Sequence, residues 1–164
     1  MEPRIEIISD KKIVGKHSRM KLSQNKTFEL WRSFMPVRKT IKHSLSIEML
    51  SIQIYDEALD YKRFTMETEF EKWAGIEVSE FANIPEGMES LLIKGGLFAV
   101  FLYKGNPNDF ADTFHYIFGN WLPNSDYETD HRPHFEILGE KYKNNDPSSE
   151  EEIWIPIKQK NNSL

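Results

Sequence analysis

The sequence contains no cysteine. That removes disulfides, thiolate nucleophiles and zinc–thiolate centres together, and it fits a reducing compartment. No apolar run approaches the roughly 20 residues that cross a bilayer. The start, Met1-Glu-Pro-Arg-Ile-Glu6, has neither the basic opening nor the apolar core of a secretion signal. The expectation is a soluble cytoplasmic protein. A phosphate loop is missing too, because neither GKS nor GxGxxG follows Gly95-Gly96. Basic residues are in the minority, with 21 Lys and Arg against 26 Asp and Glu for a net charge of −5. That balance argues against a general binder of nucleic-acid backbone and leaves Lys11 to Lys21, and the Arg38, Lys39 and Lys42 group, as solvated surface.

Aromatic rings are plentiful, at 13% of the chain with four Trp. They serve either a core or a pocket wall. At 164 residues the chain suits one domain that buries a core without staples.

Ile5–Ile8 and Lys12–Met20 read as a strand pair or one kinked strand, with Gly15 a candidate bulge. Phe28, Trp31, Phe34 and Met35 then recur at helical spacing, with Ser23 or Asn25 as a cap, until Pro36 stops the pattern. Strand composition returns in the second half of Ile47–Tyr55 and in Phe70–Val78, separated by a loop from Asp56, and Ile84-Pro-Glu-Gly87 is a turn. The same order then begins again. Met88–Lys94 and Gly95–Tyr103 form a broken strand. Asp109 can cap a helix carrying Phe110, Phe114, Ile117, Phe118 and Trp121, and Pro123 ends it. His134–Leu138 and Ile153–Ile157 are the closing strands. Gln53 answers Glu136, and Trp73 answers Trp154. This repetition predicts an α+β fold of tandem βαββ units, with halves of about 1–85 and 86–158, related by a pseudo-twofold axis, their strands merged into one sheet under both helices. Residues 159–164 read as a flexible tail.

Within Arg132-Pro-His-Phe-Glu-Ile-Leu138, alternation puts His134, Glu136 and Leu138 on one face. An acid inside an apolar pattern needs a reason. The expectation is that the last strand places Trp154 beside Glu136, an anion against an aromatic wall that suits a flat or cationic guest.

Several stretches resemble the GyrI-like small-molecule-binding domain, which is also the effector-binding domain of AraC-type and MerR-type bacterial regulators. They are the strand with its hydrophobic-Gly run, the helix ending in Trp121-Leu-Pro123, the segment Tyr127 to Glu136 and the strand Glu152-Ile-Trp-Ile-Pro-Ile157. The resemblance implies paired βαββ units around a central groove for drug-like compounds, with Glu136 as the groove acid and Trp154 as the last-strand aromatic. No helix-turn-helix module precedes Ile5, so the chain is similar to the stand-alone members and direct DNA binding is not expected. Some stand-alone relatives are antagonists of DNA gyrase and others hydrolyse cyclopropane-bearing compounds.

The simpler reading of Glu136 is a solvated carboxylate or one paired with His134, Arg132 or Lys141. If the chain is a hydrolase instead, Glu136 is the general base, and Tyr103, Tyr116 and His134 are candidates to protonate the leaving atom. No nucleophile-base-orienter set is visible, so a binding protein is preferred over an enzyme. His115, His131 and His134 do not share a face, so no metal is expected, and no cofactor. The ligand-binding candidates are thus Glu136, Trp154, Trp73, Tyr103 and Tyr116. Glu150-Glu-Glu152 reads as a solvated edge, with Glu152 the member that could reach the groove mouth. A small cationic or aromatic ligand is the expected partner, and a regulator or gyrase the possible protein partner.

Overall fold

The computed structural model describes residues 1–161. Nine strands, β1 (Arg4–Ile8), β2 (Lys11–Met20), β3 (Met49–Tyr55), β4 (Phe70–Val78), β5 (Glu89–Ile93), β6 (Gly96–Lys104), β7 (Tyr127–Thr129), β8 (His134–Leu138) and β9 (Glu150–Gln159), join one antiparallel sheet. Two main helices pack on it, α1 (Thr27–Phe34) and α2 (Ala111–Tyr116). The second continues through a π-helical stretch, Ile117–Trp121, into a last turn, Leu122–Asn124.

The strand order is β1-β6-β9-β8-β3-β4-β2-β5, with β7 beside β9. Exchanging β1, β2, β3 and β4 for β5, β6, β8 and β9 gives the same order reversed, the signature of a duplicated βαββ unit. The β3–β8 pair lies at the centre, and the outermost strands are exchanged: β1 pairs with β6, and β5 with β2.

Four local expectations are corrected. Gly15 makes no bulge, since the register from Lys12–Val78 to Met20–Phe70 is unbroken. It is glycine because a Cβ there would lie 2.1 Å from the Ala74 carbonyl oxygen. Pro36 does not end the helical segment, because it sits in the first turn of a 3-10 stretch, Met35–Thr40, where its missing N–H is not needed. Phe28 is exposed, and Leu30 with Phe34 forms the buried stripe of α1. The tail begins later than residue 159: Gln159 ends β9 and the Lys160 amide donates to the Asp126 carbonyl. Residues 162–164 lie outside the described ones.

The two sheet faces hold different cores. On the helix side, Leu30 and Phe34 of α1 pack on Val14, Ala74, Ile76 and Val78, while Ile117 and Phe118 pack on Ala99, Phe101, Ile153, Ile155 and Ile157. On the other side, Ile13, Ile52, Trp73, Ile93, Phe98, Phe135 and Trp154 form one cluster with no helix over it. Ile13, Ile52, Ile93, Phe98 and Phe135 are nevertheless 0% exposed, so the sheet must curl until this face closes on itself. Each such ring or branched side chain contributes roughly 1.5–3 kcal/mol by leaving water.

Candidate ligand-binding groove

Period-two alternation and the pairing register decide which side chains meet between the helices. Glu136 is opposite Ser51 on β3 and Ile153 on β9, and Ile153 belongs to the core under α2, so Glu136 faces the helices. Gln53 stands opposite His134 on one side and Lys72 on the other, which places those three on the same face. Glu151 joins them, two residues before Ile153 on β9. The result is a polar strip across β9, β8, β3 and β4, between the apolar beds of α1 and α2.

Aromatic rings bound this strip. Tyr55 meets Phe64 at 6.0 Å, Phe64 meets Phe114 at 5.6 Å, Phe114 meets Phe118 at 4.7 Å, Phe118 meets His134 at 6.0 Å, and His134 returns to Tyr55 at 5.1 Å. The closed circuit draws on β3, the β3–β4 connection, the α2 segment and β8. Tyr61 of the same connection lies against Phe114 and bonds through its hydroxyl to His115 Nδ1, tying the connection to α2.

The electrostatics follow from burial. The Glu136 Oε2 atom is buried and has no hydrogen-bond partner among the described residues. Burial raises its pKa against the Lys72 ammonium and a hydrogen bond from Gln53, which lower it. Glu151 is pushed up to about 7 by burial and by Glu136, against Lys72. Lys72 is shifted down by burial although both acids favour its charged form. The Tyr55 hydroxyl is raised by burial and by Glu136, and Tyr142 by burial with Glu151 and Glu136. An orphaned acceptor beside rings is chemistry suited to a cation or a donor.

The other expected site residues are placed elsewhere. Trp154 does not stand beside Glu136. Glu136 is in register with Ile153, so Trp154 pairs with Phe135 on the opposite face, stacking on it at 5.3 Å and 13°. Trp73 is on that opposite face too, stacked on His17 at 4.5 Å. Tyr103 is on the helix side across from Glu151, but its hydroxyl donates to the Asn106 carbonyl at 2.7 Å. The Tyr116 hydroxyl donates to the Met1 carbonyl at 2.8 Å and takes no part in the ring circuit. Within the acidic run Glu151 is the buried member. Glu152 points to the other face, where it accepts from Arg4 at 2.7 Å and from Trp154 Nε1 at 3.2 Å.

Sequence reasoning missed Lys72, Glu151, Tyr55 and Phe64. The signal for Lys72 was available, as it is a charge inside the apolar run Phe70–Val78. No group of His, Asp and Glu among the described residues is arranged to hold a metal ion. A separate cavity of about 570 Å³ opens between β2 and α1, lined by Lys16, Ser18, Leu30, Ser33 and Glu89 among others.

Residues 1–158 match the family of the GyrI-like small molecule binding domain. The chain belongs to this family. The transcriptional regulator BrlR of Pseudomonas aeruginosa is 32% identical over 90 residues, which is 54% of this chain and 33% of that protein. The aligned region therefore spans about a third of the regulator. The structure of SAV2435 bound to tetraphenylphosphonium superposes with a TM-score of 0.72 at 13% identity, covering 96% of this chain and 94% of that one. The EcmrR C-terminal domain gives 0.69 at 12% identity over 97% and 98%. At such identities the GyrI-like chain shares the fold with these structures. No helix among the described residues is long and apolar enough to cross a membrane.

Proposed function

We propose that this GyrI-like domain binds small aromatic, cationic molecules in the groove between α1 and α2, with Glu136 as the anion and the Tyr55–Phe64–Phe114–Phe118–His134 circuit as the wall. The observation that carries the reading is the buried, unpartnered Glu136 Oε2 atom beside those rings. A unit charge at 4 Å in an effective dielectric near 20 is attracted by about 4 kcal/mol, and a ring face adds roughly 0.5–2 kcal/mol. After ordering costs, micromolar affinity is the scale this supports. That SAV2435, which shares the fold, has been seen bound to tetraphenylphosphonium supports it. The role would be ligand sensing or sequestration.

The test is isothermal titration calorimetry with tetraphenylphosphonium. Glu136→Gln keeps the shape and removes the charge, and it should weaken binding at least tenfold. Equal affinity for both proteins would remove Glu136 from the site.

A second reading rests on Glu151, buried on the face of Glu136, whose carboxyl burial and Glu136 push up to about 7. Such an acid suits general-base activation of water, as a hydrolase of strained electrophiles requires. Mass spectrometry of cyclopropane-bearing compounds incubated with the protein separates the two readings, because only the second yields a hydrated product.

A further inference from the structure

The groove contains a cation of its own. Lys72 is half-buried on β4, in register with Gln53 and on the face of Glu136 and Glu151. Lys72 and Glu136 stand on strands separated by β3 and two residues out of register, so their backbones are about 12 Å apart at ordinary strand spacing and rise. Ion pairs closer than 4 Å are found for many surface lysines, Lys11 with Glu77 and Lys21 with Glu67 among them. Among the described residues Lys72 has no such pair, and its attraction to the two groove acids is through space, without a hydrogen bond. The strip thus presents a half-buried donor with no ion-pair partner and, across from it, a buried acceptor with no hydrogen-bond donor among the described residues.

We propose that Lys72 sets the specificity of the groove, whose guests are aromatic molecules bearing both a cationic donor for Glu136 and an anionic or carbonyl acceptor for the Lys72 ammonium. The inference rests on the groove being the binding site. A plain lipophilic monocation satisfies Glu136 but meets the Lys72 charge at its other end, and it leaves that donor unpaired. A zwitterion of suitable length satisfies both. Glu151 is the third titratable group on this face. The Lys72 ammonium offsets part of the negative charge of the two acids through space; without it both act on the guest undiminished.

The experiment uses one xanthene dye in two forms, the free acid, which is a zwitterion, and its ethyl ester, which is a cation. Fluorescence anisotropy gives both affinities for the wild-type chain and for Lys72→Met, Lys72→Arg and Glu136→Gln. The wild type should bind the free acid at least as tightly as the ester. Lys72→Met should shift the ratio at least tenfold towards the ester, and Lys72→Arg, which keeps the charge, should leave it near the wild-type value. Lys72→Gln replaces Lys72→Met if circular dichroism shows the latter unfolded. An unchanged ratio in the neutral variant, with Glu136→Gln still weakening both forms, overturns the role of Lys72 alone. If neither form binds the wild-type chain, the groove reading falls and takes this inference with it.

Discussion

Replacing Phe135 by alanine should destabilise the fold by roughly 3–5 kcal/mol, the usual cost of deleting a fully buried ring from a core that relaxes only in part. Phe135 is 0% exposed, stacks on Trp154 and meets Phe98 edge-on at 5.4 Å. It sits on β8 with β3 on one side and β9 on the other, opposite Ile52 and Trp154, so the cavity would open where the repeated units join. Urea unfolding followed by Trp emission measures it. A control at Ile7, which is 78% exposed, should change stability by less than about 0.5 kcal/mol when cut to alanine. A loss below 1 kcal/mol at Phe135 would mean that the second face is not closed as described.

Acid should weaken the wild-type fold through His134. Its ring is buried, and burial, with Arg132 nearby, lowers its pKa to about 3 from an ordinary value of 6.5. Between those values the unfolded chain binds a proton that the folded one refuses. The contribution is therefore complete above pH 6.5 and is lost as the pH falls towards 3. The scale is roughly 3–5 kcal/mol over the whole window, at about 1.4 kcal/mol per pH unit. His134→Phe should preserve the ring contacts with Tyr55 and Phe118 and flatten that part of the pH profile. His17 acts with the opposite sign. Burial lowers its pKa, but hydrogen bonds with Glu71 and Glu89 raise it overall. Its contribution is present below pH 6.5 and fades as the pH rises through the folded value. Comparing melting temperatures of wild type and His134→Phe from pH 7.5 to 4 isolates the first effect. Parallel curves would contradict it.

The repeated order of elements was legible because strands and helices leave different periods in the chain. Phe70–Val78 was found to the residue, since its apolar run is bounded on both sides by polar segments. The polar strip was half legible. Glu136 stood out as an acid in an alternating pattern, and the pattern did assign its face. Its neighbours on other strands depend on register, which no single segment contains, and a one-residue slip turns every side chain over. That is why Trp154 was expected beside Glu136 and lies behind it, and why Glu151 was missed inside a run of three glutamates. The ring circuit was beyond reach for another reason. Phe64 lies in a polar, irregular connection, and only long-range packing on α2 brings it to Tyr55. Exchange of the outermost strands between the repeats was equally hidden, because β1 and β5 carry the same short apolar signal wherever they pair.

The central claim concerns a place, so the direct measurement is of position. Crystals of the chain soaked with a brominated aromatic amine locate the guest by the anomalous signal of bromine. The account predicts the amine nitrogen within hydrogen-bond distance of Glu136 and the ring against Tyr55, Phe64 and Phe114, in the wild type and not in Glu136→Gln. Bromine found instead in the cavity between β2 and α1, equally in both proteins, would contradict it.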